Sequence, residues 1–120
     1  MIEVTEATFG ETVIKAKVPV LLKMYSDGCP PCRRIQPLLD RMEANLHGQV
    51  LFAKMNVESN QWLASYLGIG GVPTLIVFID GCEEGRLVGI QSEEKILAAL
   101  GQEQFPKGDL FKTKNTNTIS

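Results

Sequence analysis

Cys29-Pro30-Pro31-Cys32 constrains the fold more than any other stretch of this chain. Two thiols three residues apart at the start of a helix share one face and lie close enough to bond reversibly. The run before them, Val20-Leu21-Leu22-Lys23-Met24-Tyr25, reads as a buried strand. The run after them, Arg33 to Leu46, reads as a helix, with Ile35, Leu38, Leu39, Met42 and Leu46 at helical spacing. A strand that feeds a Cys-X-X-Cys pair at a helix N-terminus is a redox arrangement. The partial positive charge of the helix end favours thiolate, and thiolate is the reactive form.

The rest of the chain supplies a framework for that pair. Val4 heads a short first strand. Thr8-Phe9-Gly10-Glu11 has the form of a capping box, with Thr8 as N-cap, and predicts a helix to about Lys15. Pro37 lies inside the long helix and should kink it, and Gly48 stops it. Val50 to Val57 alternates as a strand does. Asn60 can cap a short helix whose inward face is Leu63, Tyr66 and Leu67, with Trp62 partly buried. Leu75 to Ile79 is apolar enough for a central strand. Asp80-Gly81 predicts a tight turn into an outer strand around Arg86 to Gly89, leaving Cys82 in a loop. Ser92 caps a last helix that buries Ile96, Leu97 and Leu100 and ends at Gly101. The order βαβαβαββα predicts an α/β domain over residues 1–101, a central mixed sheet with helices on both faces. Residues 102–120 form a polar tail, expected to be flexible, with Phe105, Leu110 and Phe111 able to dock it on the body.

Composition narrows the setting. At 120 residues, 44% apolar and 22% charged, the chain has the make-up of one globular domain. A net charge of −2 gives no reason to expect nucleic acid or an anionic membrane as partner. The start, Met1-Ile2-Glu3-Val4-Thr5-Glu6, is acidic and lacks the apolar core of a signal peptide, and no apolar run approaches a membrane span. Three cysteines are an odd number, which argues against a disulfide framework. The expectation is a cytoplasmic protein, where a vicinal dithiol is catalytic rather than structural. Half of a zinc site is the alternative, but tetrahedral zinc needs four ligands and the chain adds only Cys82 and His47. Cys82, among Glu83 and Glu84, is expected to be an inert loop thiol, and His47 to sit at a helix C-terminus.

A second signature follows downstream, where Val72-Pro73-Thr74 opens the strand Leu75 to Ile79. With it the chain resembles the thioredoxin family. The matching pieces are Asp27-Gly28-Cys29-Pro30-Pro31-Cys32, Ala53-Lys54-Met55-Asn56-Val57, Leu67-Gly68-Ile69-Gly70-Gly71-Val72-Pro73-Thr74, Asp80-Gly81 and Val88-Gly89. They stand in the family's order across roughly residues 3–101. The resemblance implies a thioredoxin fold and a cis peptide before Pro73, set against the disulfide. It implies that Cys29 attacks and Cys32 resolves. It also implies a substrate surface of Gly28, Gly71, Val72, Pro73 and Gly89, in which the Val72 backbone pairs with an extended segment.

Two positions depart from the family. Gly28 replaces the tryptophan that often precedes the first cysteine, although Tyr25 keeps an aromatic nearby. Lys23 stands where thioredoxins carry a buried carboxylate that moves protons to and from the resolving cysteine. Lys23 has two alternatives. It snorkels out or pairs with an acid, or it stays beneath the cysteines. In the second case it stabilises their anions as a cation or serves as a neutral base. Lys54 matches the lysine that pairs with the missing carboxylate, so one of the two amines must move away or lose its proton.

The leading functional reading is a monomeric thiol–disulfide oxidoreductase acting on protein disulfides. It needs no cofactor and draws electrons from a thioredoxin-reductase-type or thiol donor. Two alternatives are a thioredoxin-fold binding or assembly protein with non-catalytic cysteines and a metal carrier.

Overall fold

The apolar run Val20–Tyr25 becomes β2, the middle strand of a five-stranded sheet ordered β1-β3-β2-β4-β5. The computed structural model describes residues 1–101, so the expectations for the tail and for Phe105, Leu110 and Phe111 lie outside the described residues. β1 (Ile2–Glu3), β3 (Leu51–Asn56) and β2 run parallel. β1 ends before Val4 rather than starting there; the Val4 N–H bonds Lys54 O at 2.8 Å, and its side chain is buried in the core as the chain leaves the sheet. β4 (Thr74–Ile79) is antiparallel to β2, and β5 (Cys82–Val88) is antiparallel to β4. The sheet is mixed and covered on both faces, as expected for this α/β fold.

Strand alternation sorts the core into two halves. Leu22, Met24, Met55, Ile76 and Phe78 face one side with Leu63 and Ala64 of α2 (Gln61–Tyr66). Leu21, Phe52, Leu75 and Val77 face the other. There they meet Ile35, Leu39 and Met42 of α1 (Pro30–Asn45) and Ile96 and Leu97 of α3 (Glu93–Ala99). Lys23 is two residues from Leu21 and therefore points to the α1 side. α1 runs from Pro30 to Asn45 through Pro37. Ser92 caps α3 as expected, its Oγ accepting the Lys95 N–H at 3.2 Å.

Several local expectations are corrected. The capping box does not form. Thr8 Oγ1 turns back to accept the Thr5 N–H at 3.0 Å, and Glu11 pairs with Lys15 at 2.8 Å. The segment Gly10–Ile14 is a π-helical turn instead, closed by Lys15 N–H to Gly10 O at 3.0 Å. Asn60 precedes α2, but the cap comes from Glu6, whose carboxylate accepts the Leu63 N–H at 3.1 Å. Tyr66 and Trp62 are exposed by 75% and 69%, not turned inward or partly buried. They are one helical turn apart on the outer face, stacked with ring centroids 5.6 Å apart. Cys82 starts β5 opposite Ile79 rather than lying in a loop, because the Asp80-Gly81 turn is only two residues long. That turn has φ of 53° at Asp80 and 80° at Gly81, and a Cβ on Gly81 would come within 2.9 Å of Ile14 O.

Asn60 has a different task from capping. Its side chain accepts the Glu6 N–H at 2.9 Å and donates to Asn56 O at 2.9 Å while 5% exposed. It ties the segment after β1 to the end of β3. Asn60→Ala leaves both backbone groups without their partner. It should lower stability by about 1–3 kcal/mol. Urea unfolding followed by far-ultraviolet circular dichroism should show a lower midpoint with an unchanged slope. An unchanged midpoint would mean that water replaces the amide at no loss.

Candidate active site

Cys29 is the residue before α1, in extended conformation, and Cys32 lies in the helix's first turn. Their sulfurs are joined as a disulfide. An ordinary helix start presents several unpartnered amides. Pro30 and Pro31 remove two of them, and the Arg33 N–H is used by Cys29 O at 3.3 Å. The Cys32 N–H is thus the first-turn donor left over, and it points at Cys29 Sγ, 3.1 Å away. Both thiol positions are largely shielded, Cys29 at 6% and Cys32 at 2% exposure.

Beneath the helix sits Lys23, 5% exposed. It does not snorkel to the surface, since β2 is flanked by strands on both edges and covered by α1. Its Nζ donates to Cys32 O at 2.9 Å and to Gln36 Oε1. The amide nitrogen of Gln36 donates onward to Asp40 Oδ1 at 2.7 Å. Burial, and then the charge of Lys54, hold the Lys23 ammonium below its usual range, while Asp40 acts in the opposite direction. Lys54 lies in register beside Lys23 on β3 and resolves the crowding by leaning outward. It is about one-third exposed, and its Nζ is 4.0 Å from the Glu3 carboxylate. Both amines lie 5.6 Å from the Tyr25 ring centroid, near the outer limit of a cation–π contact. The Tyr25 hydroxyl donates to Glu3, and burial together with that carboxylate pushes its pKa up to about 12. Tyr25 therefore stays neutral over the working range. A cleft of about 460 Å³ opens beside Cys32 and is lined by Lys23, Tyr25, Gln36, Asp40 and Lys54 among others.

The second signature reaches the same end of the sheet. Met24 on β2 pairs with Thr74 on β4, so Pro73 stands where β2 leads into the cysteine loop. The Val72–Pro73 peptide is cis. Pro73 is buried, Val72 half-buried and Gly71 exposed. Gly89 joins them through its N–H, which bonds Pro73 O at 2.8 Å. Gly28 is exposed, with open space where a side chain would stand. Cys82 pairs with Ile79 at the far end of β4, and His47 follows the far end of α1. Neither converges on the pair, so they do not complete the alternative zinc site.

Gln36 and Asp40 are absent from the sequence-based candidates. The available signal was spacing, since Cys32, Gln36 and Asp40 recur every fourth residue along one strip of α1. Without the fold, nothing pointed that strip at Lys23.

Comparison with known proteins agrees with this geometry. A family model described as Thioredoxin matches residues 1–102. The thioredoxin of Pseudomonas aeruginosa is 36% identical over 100 residues, covering 83% of this chain and 93% of that protein. Thioredoxin 1 of Synechococcus elongatus is 37% identical over 86 residues, covering 72% and 80%. A thioredoxin of Synechocystis sp. is 32% identical over 98 residues, covering 82% and 92%.

The position of Lys23 has a consequence for stability. In the unfolded chain its pKa is near 10.5, and in the fold it is lower. Between the two values the unfolded state binds more protons, so this residue makes stability rise with pH through that window. Below the folded value the burden of the buried ammonium is fully present. Lys23→Met should therefore stabilise the protein at neutral pH, on the order of 1 kcal/mol or roughly 4–8 °C in Tm. The gain should shrink as pH rises toward 10.5. Thermal unfolding across that range checks both the sign and the trend.

Proposed function

Because the chain belongs to the thioredoxin family and is a thiol–disulfide oxidoreductase working through Cys29 and Cys32, we propose a division of labour within its site. Cys29 is the nucleophile. The observation that carries this is the Cys32 N–H aimed at Cys29 Sγ at 3.1 Å, a donor that stabilises negative charge on that sulfur. The Cys29 thiolate attacks one sulfur of a substrate disulfide and forms a mixed disulfide, expelling the other sulfur as a thiolate. Cys32 then loses its proton and attacks Cys29 Sγ. The Cys29–Cys32 bond forms, the mixed disulfide breaks, and the substrate leaves reduced by two electrons.

Lys23 accepts the Cys32 proton. Of its two possible roles beneath the cysteines, the neutral base is favoured. A buried amine next to a second lysine holds its proton loosely, and it already contacts the Cys32 backbone. Gly71, Val72 and Pro73, with Gly28 and Gly89, form the substrate surface. The Val72 N–H and C=O make no hydrogen bond among the described residues, which suits pairing with an extended substrate segment. The protein works as a cytoplasmic monomer that takes its electrons from a reductase or a low-molecular-weight thiol. Among the described residues no helix is long and apolar enough to cross a membrane. The intact cysteine pair gives no reason to adopt the binding-protein alternative.

Reduction of insulin by dithiothreitol, with and without the protein, tests this directly. Cys29→Ser should abolish the acceleration, and Cys32→Ser should trap mixed disulfides with substrate proteins. A Cys29→Ser protein as active as the parent would overturn the assignment.

A further inference from the structure

Lys23 is buried without an ion-pair partner among the described residues, yet its amine is held at two points. An ammonium has three N–H groups and a neutral amine has two. The two acceptors found here, Cys32 O and Gln36 Oε1, match the neutral form and satisfy all but one N–H of the charged form. The third tetrahedral position has no protein acceptor among the described residues, and Lys23 shares a cleft with Cys32. Losing the proton thus breaks neither contact and requires no rearrangement.

Gln36 makes this possible, and its orientation is fixed by chemistry. Asp40 only accepts hydrogen bonds when ionised, so it takes the amide nitrogen at 2.7 Å and turns the amide oxygen toward Lys23. We propose that Gln36 is the positioning residue of the Cys32 proton acceptor, holding the Lys23 amine in one place before and after proton transfer, with Asp40 anchoring the far end of the amide. A carboxylate in place of Gln36 would also grip the ammonium, but it would oppose deprotonation. A neutral amide grips both forms.

The charges around Lys23 are of both signs. Lys54 faces it from β3, with Glu3 of β1 behind, Tyr25 lies beside it on β2, and Met1, whose α-ammonium pairs with Glu43 of α1 at 3.0 Å, lines the same cleft. Asp40 and Arg33 approach from α1 and Asp27 from the loop before it, while Leu75 of β4 contributes no charge. Asp40 is the carboxylate connected to Lys23 by direct hydrogen bonds through one side chain.

This inference rests on the exchange chemistry proposed above, and the test separates the two. The reduced Cys82→Ser protein, which lacks the exposed third thiol, is mixed with dithiobis-nitrobenzoate across a pH series, and thiolate release is followed by stopped flow. The first release reports Cys29 attack and the second reports resolution by Cys32. Gln36→Glu should move the pH midpoint of the second phase up by about one unit or more, slowing it roughly ten-fold at neutral pH. Asp40→Asn keeps an acceptor for the amide and removes only charge, so it should move that midpoint down. Neither should alter the first phase appreciably, and both shifts should vanish in a Lys23→Met background. Shifts that persist without Lys23 would mean a direct effect on Cys32, and the relay would be wrong. It would equally be wrong if both variants slowed resolution with no change of midpoint. A first phase that keeps its rate in Cys29→Ser would overturn the exchange mechanism itself, and thermal melts of each variant separate misfolding from either outcome.

Discussion

The hydrogen bond from Lys23 Nζ to Cys32 O, 2.9 Å beneath α1, is the contact around which the dithiol region is arranged. It joins the middle strand of the sheet to the first turn of the helix that carries the cysteines. A charged group in such a place is expensive unless it is satisfied or gives up its charge. Lys23 meets two neutral oxygens, one short of what its ammonium can donate to, and is crowded by Lys54, so the first remedy is partial and the second is in reach. The rest of the neighbourhood follows from that arrangement. Lys54 leans toward Glu3, Tyr25 stays neutral against the same carboxylate, and Gln36 turns its oxygen inward.

The two sulfurs consequently have unlike surroundings. Cys29 receives the one amide that two prolines leave over at the helix start. Cys32 is one turn further in, over the Lys23 amine and beside a cleft. Stiffness at Pro30-Pro31 therefore has a specific electrostatic result, because it concentrates the free amide of the first turn on a single sulfur. The attacker and resolver roles proposed above rest on this inequality.

Much of this was legible in the sequence. The three inner strands, the apolar stripe of α1 and the Ser92 cap follow from periodicity and local chemistry, and they form as read. The failures are instructive because in each a competing contact or face decides what a local pattern leaves open. Thr8 had a local capping pattern, but its hydroxyl was taken by Thr5. Asn60 had a cap's identity, but Glu6 reached across from the segment after β1 to do that work. On α2, a six-residue helix offers too few turns to show which face is inward, and Ala64 rather than Tyr66 was buried. At the site, Lys23 was visible as an anomaly, whereas Gln36 and Asp40 looked like ordinary solvated helix residues. Their meaning depends on α1 crossing β2 with that strip of its surface over residue 23.

Trp62 is the chain's one indole, and it stands 69% exposed on α2, stacked on Tyr66 rather than packed in the core. Its ring meets water before unfolding as well as after. The folded protein should accordingly emit like a hydrated indole, with little spectral shift when the sheet comes apart. Fluorescence from this molecule is a gauge of what settles on the outer surface of α2, and the state of its interior has to be read by other light.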